Sequence, residues 1–157
     1  MRLALLLGIL AALAAPAGSQ AAGCSSLRGS FSVVRGSAGA GNVVYALRLH
    51  NGGKQACRLP GLPRLRLLGV GGRTLPTKVV ADPRYKARPF VLKPGGTATA
   101  QARFSPDVPG KGESTLKACE PIARTARVFV PGASVVVPVY PRTRVCEHGR
   151  LSFTPYR

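Results

Sequence analysis

The sequence predicts an all-β domain: a single antiparallel β-sandwich stapled by two disulfides. Three observations support this prediction. Apolar residues recur in short runs that alternate with polar ones, which is the period of a half-buried strand. Glycine (19 residues) and proline (14 residues) interrupt these runs at short intervals. All four cysteines follow an N-terminal stretch typical of exported proteins, and an even number of cysteines in an exported chain indicates disulfides.

The N-terminal stretch has the features of an export signal. Arg2 supplies positive charge, residues 3–15 are apolar apart from one glycine, and small residues follow up to Gly23. A membrane-spanning helix needs roughly 20 apolar residues, so this run is too short to span a bilayer. We therefore predict a signal peptide over residues 1–22 and one domain over residues 23–157.

The predicted location is outside the reducing cytoplasm, secreted or periplasmic. Cleavage after Ala17 and cleavage after Ala22 both fit the small residues, and the sequence does not choose between them. Lipid attachment at Cys24 is an alternative, because the preceding Ala-Ala-Gly loosely resembles a lipoprotein signal. No second apolar run of spanning length follows, so no transmembrane span is expected in the mature chain.

The clearest strand covers residues 43–50, where every second residue is apolar. Asn51-Gly52-Gly53 predicts a tight turn after it, because Asn and Gly readily accept positive φ. Residues 55–59 are expected to return as its partner strand. The predicted inward face consists of Val43, Tyr45, Leu47 and Leu49.

The segment 64–70 is the next strand. Its alternation places Leu65 and Leu67 inward and Arg64 and Arg66 outward. A turn at Gly71-Gly72 follows it. The remaining predicted elements are a strand at 73–80, a hairpin of 89–92 with 97–104 around Pro94-Gly95-Gly96, a loop at 105–115, two strands at 124–130 and 134–140 around Pro131-Gly132, and a last strand at 151–154.

The cysteines predict structural disulfides. None of them forms the Cys-x-x-Cys spacing of a zinc ribbon or of a thioredoxin-type redox site. Four cysteines allow three pairings, and the spacing alone leaves all three open. The residues concerned are Cys24, Cys57, Cys119 and Cys146.

The net charge of +18 favours anionic partners, such as phosphate-rich envelope polymers, lipid headgroups, acidic glycans or nucleic acid. The expected partner is an anionic envelope polymer or an envelope protein, without specific nucleic-acid recognition. The alternative is that the charge only keeps the domain soluble. A loop around position 85 interleaves an aromatic ring with cations, and two arginines share the outward face of the strand at 64–70. The candidate ligand-binding residues are Arg64, Arg66, Arg84, Tyr85, Lys86 and Arg88.

Catalytic motifs are sparse. The two histidines, His50 and His148, lie far apart in the sequence, and a metal site would need further ligands. There is no Gly-x-Ser-x-Gly elbow, and disulfide pairing would leave no nucleophilic cysteine. We therefore expect no enzymatic activity, no cofactor and no metal. The acidic residues occur singly, at Asp82, Asp107, Glu113, Glu120 and Glu147.

Several segments together resemble one known family, a bacterial secreted domain of unknown function numbered 4232. The most specific is the block from Asn51 to Pro63, with Asn-Gly-Gly followed by Cys-Arg-Leu-Pro-Gly-Leu-Pro. The resemblance implies an immunoglobulin-like sandwich, exported or lipid-anchored, with disulfides and no established activity. The other matching positions are Cys24 and Leu27, the glycine-rich segment 36–41, Leu92-Lys93-Pro94-Gly95, Cys119, Cys146, Gly149 and Leu151.

The predicted function is a non-enzymatic binding or interaction module of the cell envelope, whose basic surface contacts an anionic polymer. A second hypothesis is a partner-binding protein, an inhibitor or a chaperone-like subunit, that uses a sheet edge or the loop at 105–115. An envelope hydrolase is the third.

Overall fold

The computed structural model describes residues 24–157, so the predicted signal peptide lies outside the described residues. Ten strands account for most of the regular structure in that range. They are β1 Leu27–Val33, β2 Val43–Asn51, β3 Cys57–Leu59, β4 Arg64–Leu68, β5 Lys78–Ala81, β6 Phe90–Leu92, β7 Thr97–Phe104, β8 Ala123–Val130, β9 Ala133–Thr143 and β10 Arg150–Phe153. A 3-10 turn at Val70–Gly72 and one four-residue helix, α1 Cys146–Gly149, complete the set.

Eight strands form one continuous sheet in the order β4-β8-β9-β1-β2-β7-β10-β5, and β3 pairs with β6 in a small second sheet. Most neighbouring strands are antiparallel. Two contacts are parallel, β1 with β9 and β5 with β10. The all-β class is confirmed, and the parallel contacts are an addition that the sequence pattern did not predict.

The large sheet folds over on itself at β9, the longest strand. The first part of β9 pairs with β8, and its middle pairs with β1. Buried side chains from both halves belong to one hydrophobic core, in which the rings of Phe31 and Phe153 stack with centroids 6.0 Å apart. The result is a single immunoglobulin-like β-sandwich.

The alternation predicted for β2 and β7 is confirmed. Every second residue of β2 from Val43 to Leu49 is buried, and the same holds in β7 from Ala98 to Phe104. These two strands pair along their whole length, so the small alanines of β7 lie opposite the larger apolar side chains of β2. The ring of Tyr45 lies in this core, and its hydroxyl donates a hydrogen bond to the carbonyl of Pro141 at 2.9 Å.

The predicted pairing of residues 55–59 with β2 is wrong. Both edges of β2 are occupied by β1 and β7, and β3 pairs with β6 instead. The buried side chain of Asn51 binds the segment that follows β2 and holds it away from the edges of β2. Its amide donates to the carbonyls of Gln55 and Leu92, and its oxygen accepts the N–H of Gly53.

The hairpin predicted between 89–92 and 97–104 is also wrong in its pairing. The turn forms, with Gly95 at φ +70° and the Gly96 N–H donating to the Lys93 carbonyl. It carries the chain from the small sheet to the large one, where β7 pairs with β2 and β10. The strand predicted at 73–80 begins only at Lys78, since Pro76 lacks the N–H that a ladder needs.

Strand β1 was not predicted, because Gly29, Ser30 and Ser32 obscure its alternation. Gly29 is required by packing: a Cβ there would collide with the carbonyl oxygen of Arg48 on β2. The hairpin of β8 with β9 and the final strand β10 agree with the predictions.

Two disulfides join neighbours in the sequence order of the cysteines. Cys24–Cys57 ties the start of the domain to β3, and Cys119–Cys146 ties the loop before β8 to the helix α1. No cysteine is free among the described residues. The prediction of structural disulfides is confirmed, and of the three pairings the sequential one is formed.

Candidate functional site

The outer face of the three strands β4, β8 and β9 carries a cluster of arginines. Arg64 and Arg66 lie exposed on β4, as their alternation predicted. Arg66 pairs directly with Arg127 of β8 in the antiparallel ladder, so both side chains leave the sheet on the same face. Two cations opposite each other repel, which makes this an unusual arrangement for a surface that serves stability alone.

Exposed apolar side chains lie among these arginines. Phe129 is the cross-strand partner of Arg64, and Val136 is that of Arg127. Tyr140 lies further along β9 with 74 % of its surface exposed. The face therefore combines guanidinium groups with apolar surface, a combination that suits binding to a partner.

A second basic cluster lies at the other end of the same face. The register between β8 and β9 shifts between Ala123 and Thr125, and Arg124 lies exposed at this irregularity. Arg124 and Arg142 line a concavity of about 710 Å³ together with Tyr140, Pro138 and Thr125. We call the surface of β4, β8 and β9 that carries Arg64, Arg66, Arg124, Arg127 and Arg142 the basic face.

The strands of the basic face contain no aspartate or glutamate. The charge on this face is therefore not neutralised from within its own strands. By contrast, Arg150 on β10 lies 4.0 Å from the carboxylate of Glu147. The basic face is thus a region of concentrated positive potential on an already basic chain.

Arg84, one of the predicted ligand-binding residues, forms an internal ion pair. Its guanidinium donates two hydrogen bonds to Asp82, at 3.0 Å to Oδ1 and 2.7 Å to Oδ2. These bonds and the Arg84 backbone N–H lower the pKa of the Asp82 carboxyl to about 2. Arg84 also lies over the ring of Tyr85, 5.6 Å from its centroid. The Arg84 guanidinium therefore already has an ionic partner within its own loop, although 68 % of its side chain is exposed.

Lys86 and Arg88 lie exposed further along the same loop. The loop packs by its backbone on the corner that precedes β4, where a Cβ on Gly61 would lie 2.6 Å from the Arg88 nitrogen. The fold therefore brings the predicted loop residues to the end of the molecule where Arg64 begins β4.

A groove of about 600 Å³ lies beside this corner, and we call it the edge groove. It is lined by β4, by β5 and by the corner between β3 and β4. Its apolar lining includes Leu62 and Val79, which are partly buried against the core. Arg64, Arg66 and Phe129 line it from the basic face.

The acidic residues predicted to be isolated are partly brought together. The Glu113 carboxylate accepts the backbone N–H groups of Gly110, Glu147 and His148, and Glu120 lies beside it. Glu147 and His148 have positive φ, so their N–H groups converge as an anion-binding nest. Burial alone would raise the pKa of Glu113, and these backbone bonds lower it overall.

Glu120 responds in the opposite direction. Burial, together with the neighbouring Glu113 charge, raises the pKa of Glu120. The ligand atoms of Glu113, Glu120 and His148 lie within 4.8 Å of one another, a distance from which side chains can close on a cation. Both oxygens of Glu113 already accept backbone bonds, so the left-handed turn accounts for the position of this carboxylate.

Sequence reasoning missed Arg127 and Phe129. The alternation of β8 was visible and could have placed both residues outward. The pairing of β8 with β4, which sets Arg127 opposite Arg66, could not be inferred from the sequence. His50 lies apart from both clusters, with its ring nitrogen 3.3 Å from the hydroxyl of Thr97.

Within residues 24–157, no helix has the length and apolar character needed to cross a membrane.

Comparison with known proteins identifies one family. No curated protein and no solved structure is significantly similar to the chain. A family model described as a domain of unknown function, DUF4232, matches residues 24–157, the whole of the described chain. The protein therefore belongs to the DUF4232 family, as the motifs around Asn51 and Cys57 indicated.

Proposed function

We propose that this protein is a non-enzymatic, secreted binding module whose basic face contacts an anionic polymer of the cell envelope. The observation that carries the proposal is the direct pairing of Arg66 with Arg127 on strands that contain no acidic residue. A polyanion lying across this pair would turn a repulsive contact into an attractive one.

The spacing of the arginines suits a repeating ligand. Arg64 and Arg66 are two residues apart on β4, which places them roughly 7 Å apart along the strand. Arg127 lies on the neighbouring strand, about 5 Å across. Such a grid matches charges that recur at each unit of a polymer better than it matches one small anion. Guanidinium groups can also bind phosphate or carboxylate through two hydrogen bonds.

A role in binding rather than catalysis is supported by the state of two of the five acidic groups. The carboxylate of Asp82 is held by Arg84, and that of Glu113 is held by three backbone N–H groups. Carboxylates held in such bonds stabilise the fold. A location outside the cytoplasm is supported by the two disulfides, which persist in oxidising compartments.

The proposal is tested by chromatography of the purified domain on immobilised heparin and on immobilised polyphosphate. The double variant Arg66→Gln/Arg127→Gln is expected to elute at clearly lower salt than the wild type. The matched control, Arg28→Gln/Arg48→Gln, removes the same charge from exposed positions on β1 and β2. Equal losses in the two double variants would show that net charge alone is responsible and would contradict the proposal.

A further inference from the structure

We propose that the edge groove binds an extended, acidic peptide segment of a partner protein as an additional β-strand. This binding would use the backbone of β4 and β5, a contact that an anionic polymer without amide groups cannot make. It is therefore an activity beyond the proposed polymer binding. Short peptides that add to a sheet edge gain affinity from main-chain hydrogen bonds and selectivity from alternate side chains.

The two ends of the large sheet meet at this groove. Strand β4 ends the sheet on one side, where residues 74–77 cover its edge at Leu67 and Leu68 and leave the edge at Leu65 uncovered. Strand β5 ends the sheet on the other side, paired only with β10 in the part of the chain that the structure describes. Both strands line the same groove. An extended segment lying there would therefore reach two strand edges at once, one on each side.

The orientation of the backbone on β4 fits this role. The Leu67 N–H donates to the hydroxyl of Thr77 and the Leu67 carbonyl accepts the N–H of Leu75, so the backbone groups of Leu67 point away from β8. Backbone direction alternates along a strand, and the groups of Leu65 therefore point the same way, into the groove.

The backbone of β5 also presents groups to the groove. The Asp82 N–H donates to the Phe153 carbonyl on β10, so the backbone of Asp82 faces β10. Val79, three residues earlier, then presents its backbone groups to the opposite side, and its side chain lines the groove. The groove thus offers backbone donors and acceptors from both sides over a short length.

Side-chain alternation defines the sequence of the peptide. Positions opposite Arg64 and Arg66 would project onto the basic face and are best filled by acidic residues. The position opposite Leu65 would project inward onto Leu62 and Val79 and is best filled by an apolar residue. The predicted ligand is an extended segment in which acidic and apolar residues alternate.

Charge also decides between a partner protein and a second copy of this chain. Pairing two copies through β4 would bring the arginines of both strands together, and the chain as a whole carries +18. Like charges on opposite strands are destabilising, so an acidic partner is favoured over self-association.

The probe is a dye-labelled, end-blocked peptide of sequence Glu-Val-Glu-Val-Glu, measured by fluorescence anisotropy with the wild-type domain. Two controls keep its residues: the permuted peptide Glu-Glu-Glu-Val-Val, and the original peptide N-methylated at both valines, so that whichever valine lies opposite Leu65 cannot donate a backbone hydrogen bond. We expect each control to bind at least ten-fold more weakly. Equal binding of all three peptides, or no binding of the first, would overturn the inference.

A neutral variant separates this site from polymer binding. Val79→Asn removes an apolar contact from the groove and leaves the net charge unchanged, with Val91→Asn on exposed β6 as its control. Val79→Asn should weaken the peptide at least five-fold and leave heparin elution unchanged, with thermal unfolding confirming that it folds. If the wild-type domain fails to bind the peptide but still binds heparin, the inference about the edge groove is overturned and the proposed polymer binding is not. A wild-type dimer that Val79→Asn dissolves would instead identify a second copy as the occupant and overturn it too.

Discussion

At the scale of single residues, Asn51 shows how one buried polar group decides the path of the chain. Its side chain is fully buried and bonds to three backbone groups, those of Gln55, Gly53 and Leu92. These bonds link the end of β2 to the segment before β3 and to β6. An aspartate could not replace it, because a carboxylate cannot donate to the two carbonyls.

Asn51→Ala is expected to lower the free energy of unfolding by about 2–3 kcal/mol, because it leaves buried backbone groups without partners. Urea denaturation followed by circular dichroism would measure the change. Asn42→Ala is the control, since within residues 24–157 the Asn42 side chain makes one hydrogen bond, an exposed one to the carbonyl of Ala40. Similar losses in the two variants would contradict this role for Asn51.

The ion pair between Asp82 and Arg84 predicts that the stability of the fold depends on pH. The Arg84 bonds lower the pKa of its carboxyl to about 2 in the folded state, below the ordinary value near 4. The folded state therefore favours the ionised form, and the stabilisation is fully present above about pH 4 and is lost as the pH falls toward 2. The stability difference between wild type and Asp82→Asn should shrink over that interval in thermal unfolding experiments.

Asp107→Asn serves as the comparison for Asp82→Asn, because Asp107 is exposed and no hydrogen bond to its side chain is present in the described structure. A difference between wild type and Asp82→Asn that stays constant from pH 5 to pH 2 would argue against the ion pair with Arg84.

Glu113 marks the limit of prediction at this scale. In the sequence it is a single acid in a glycine-rich loop, far from His148. Its role arises from the left-handed turn of Glu147 and His148, which the Cys119–Cys146 disulfide holds near the loop. Positive φ at two residues other than glycine cannot be inferred from residue types.

At the scale of elements, the sequence predicted which residues form strands better than which strands pair. Alternation gave the buried faces of β2, β4 and β7 because it depends only on local order. Pairing is non-local. The hairpin predicted at Gly52 failed because β2 has β1 and β7 as its neighbours, and the hairpin predicted at Gly95 failed because β7 has β2 and β10. A turn motif fixes a change of direction and leaves the partner undetermined.

The cross-strand pair of Arg66 and Arg127 gives a prediction at this scale. Arg127→Gln should raise the free energy of unfolding by about 0.5 kcal/mol at low salt, because it removes repulsion between paired strands. The gain should disappear in high salt, which screens exposed charges. Guanidinium denaturation adds salt, so urea is the suitable denaturant.

Arg48→Gln is the control for Arg127→Gln. Arg48 is exposed on β2, and its ladder partners are Ser30 and Thr99, which carry no charge. An equal gain in this variant would assign the effect to net charge and would contradict a local repulsion between β4 and β8.

At the scale of the whole molecule, the disulfides brace a sandwich that contains almost no helix. Each closes a loop of about 30 residues, with separations of 33 and 27. Replacing both cysteines of either bridge by serine should lower the free energy of unfolding by about 3–4 kcal/mol, through the greater entropy of the unfolded chain. Urea denaturation of each double variant would measure this, and a change below about 1 kcal/mol would contradict a bracing role.

The whole-molecule charge was evident from the sequence, but its arrangement was not. Arg64 and Arg66 were placed correctly because both lie on one strand. Arg127, Arg124 and Arg142 join them only through the pairing of β4, β8 and β9. Arg84 was predicted as a ligand-binding residue, and its nearest partner is Asp82, two residues away. Local patterns locate cations, whereas the fold decides which of them act together.

The most direct test of the account is the salt dependence of polyphosphate binding. The slope of log affinity against log salt reports how many ionic contacts a complex contains, at roughly 0.7–0.9 per contact. Arg66→Gln/Arg127→Gln should reduce the steepness of this slope by about 1.5, while Arg28→Gln/Arg48→Gln should leave it unchanged. The same slope in both double variants and the wild type would contradict a polymer-binding basic face.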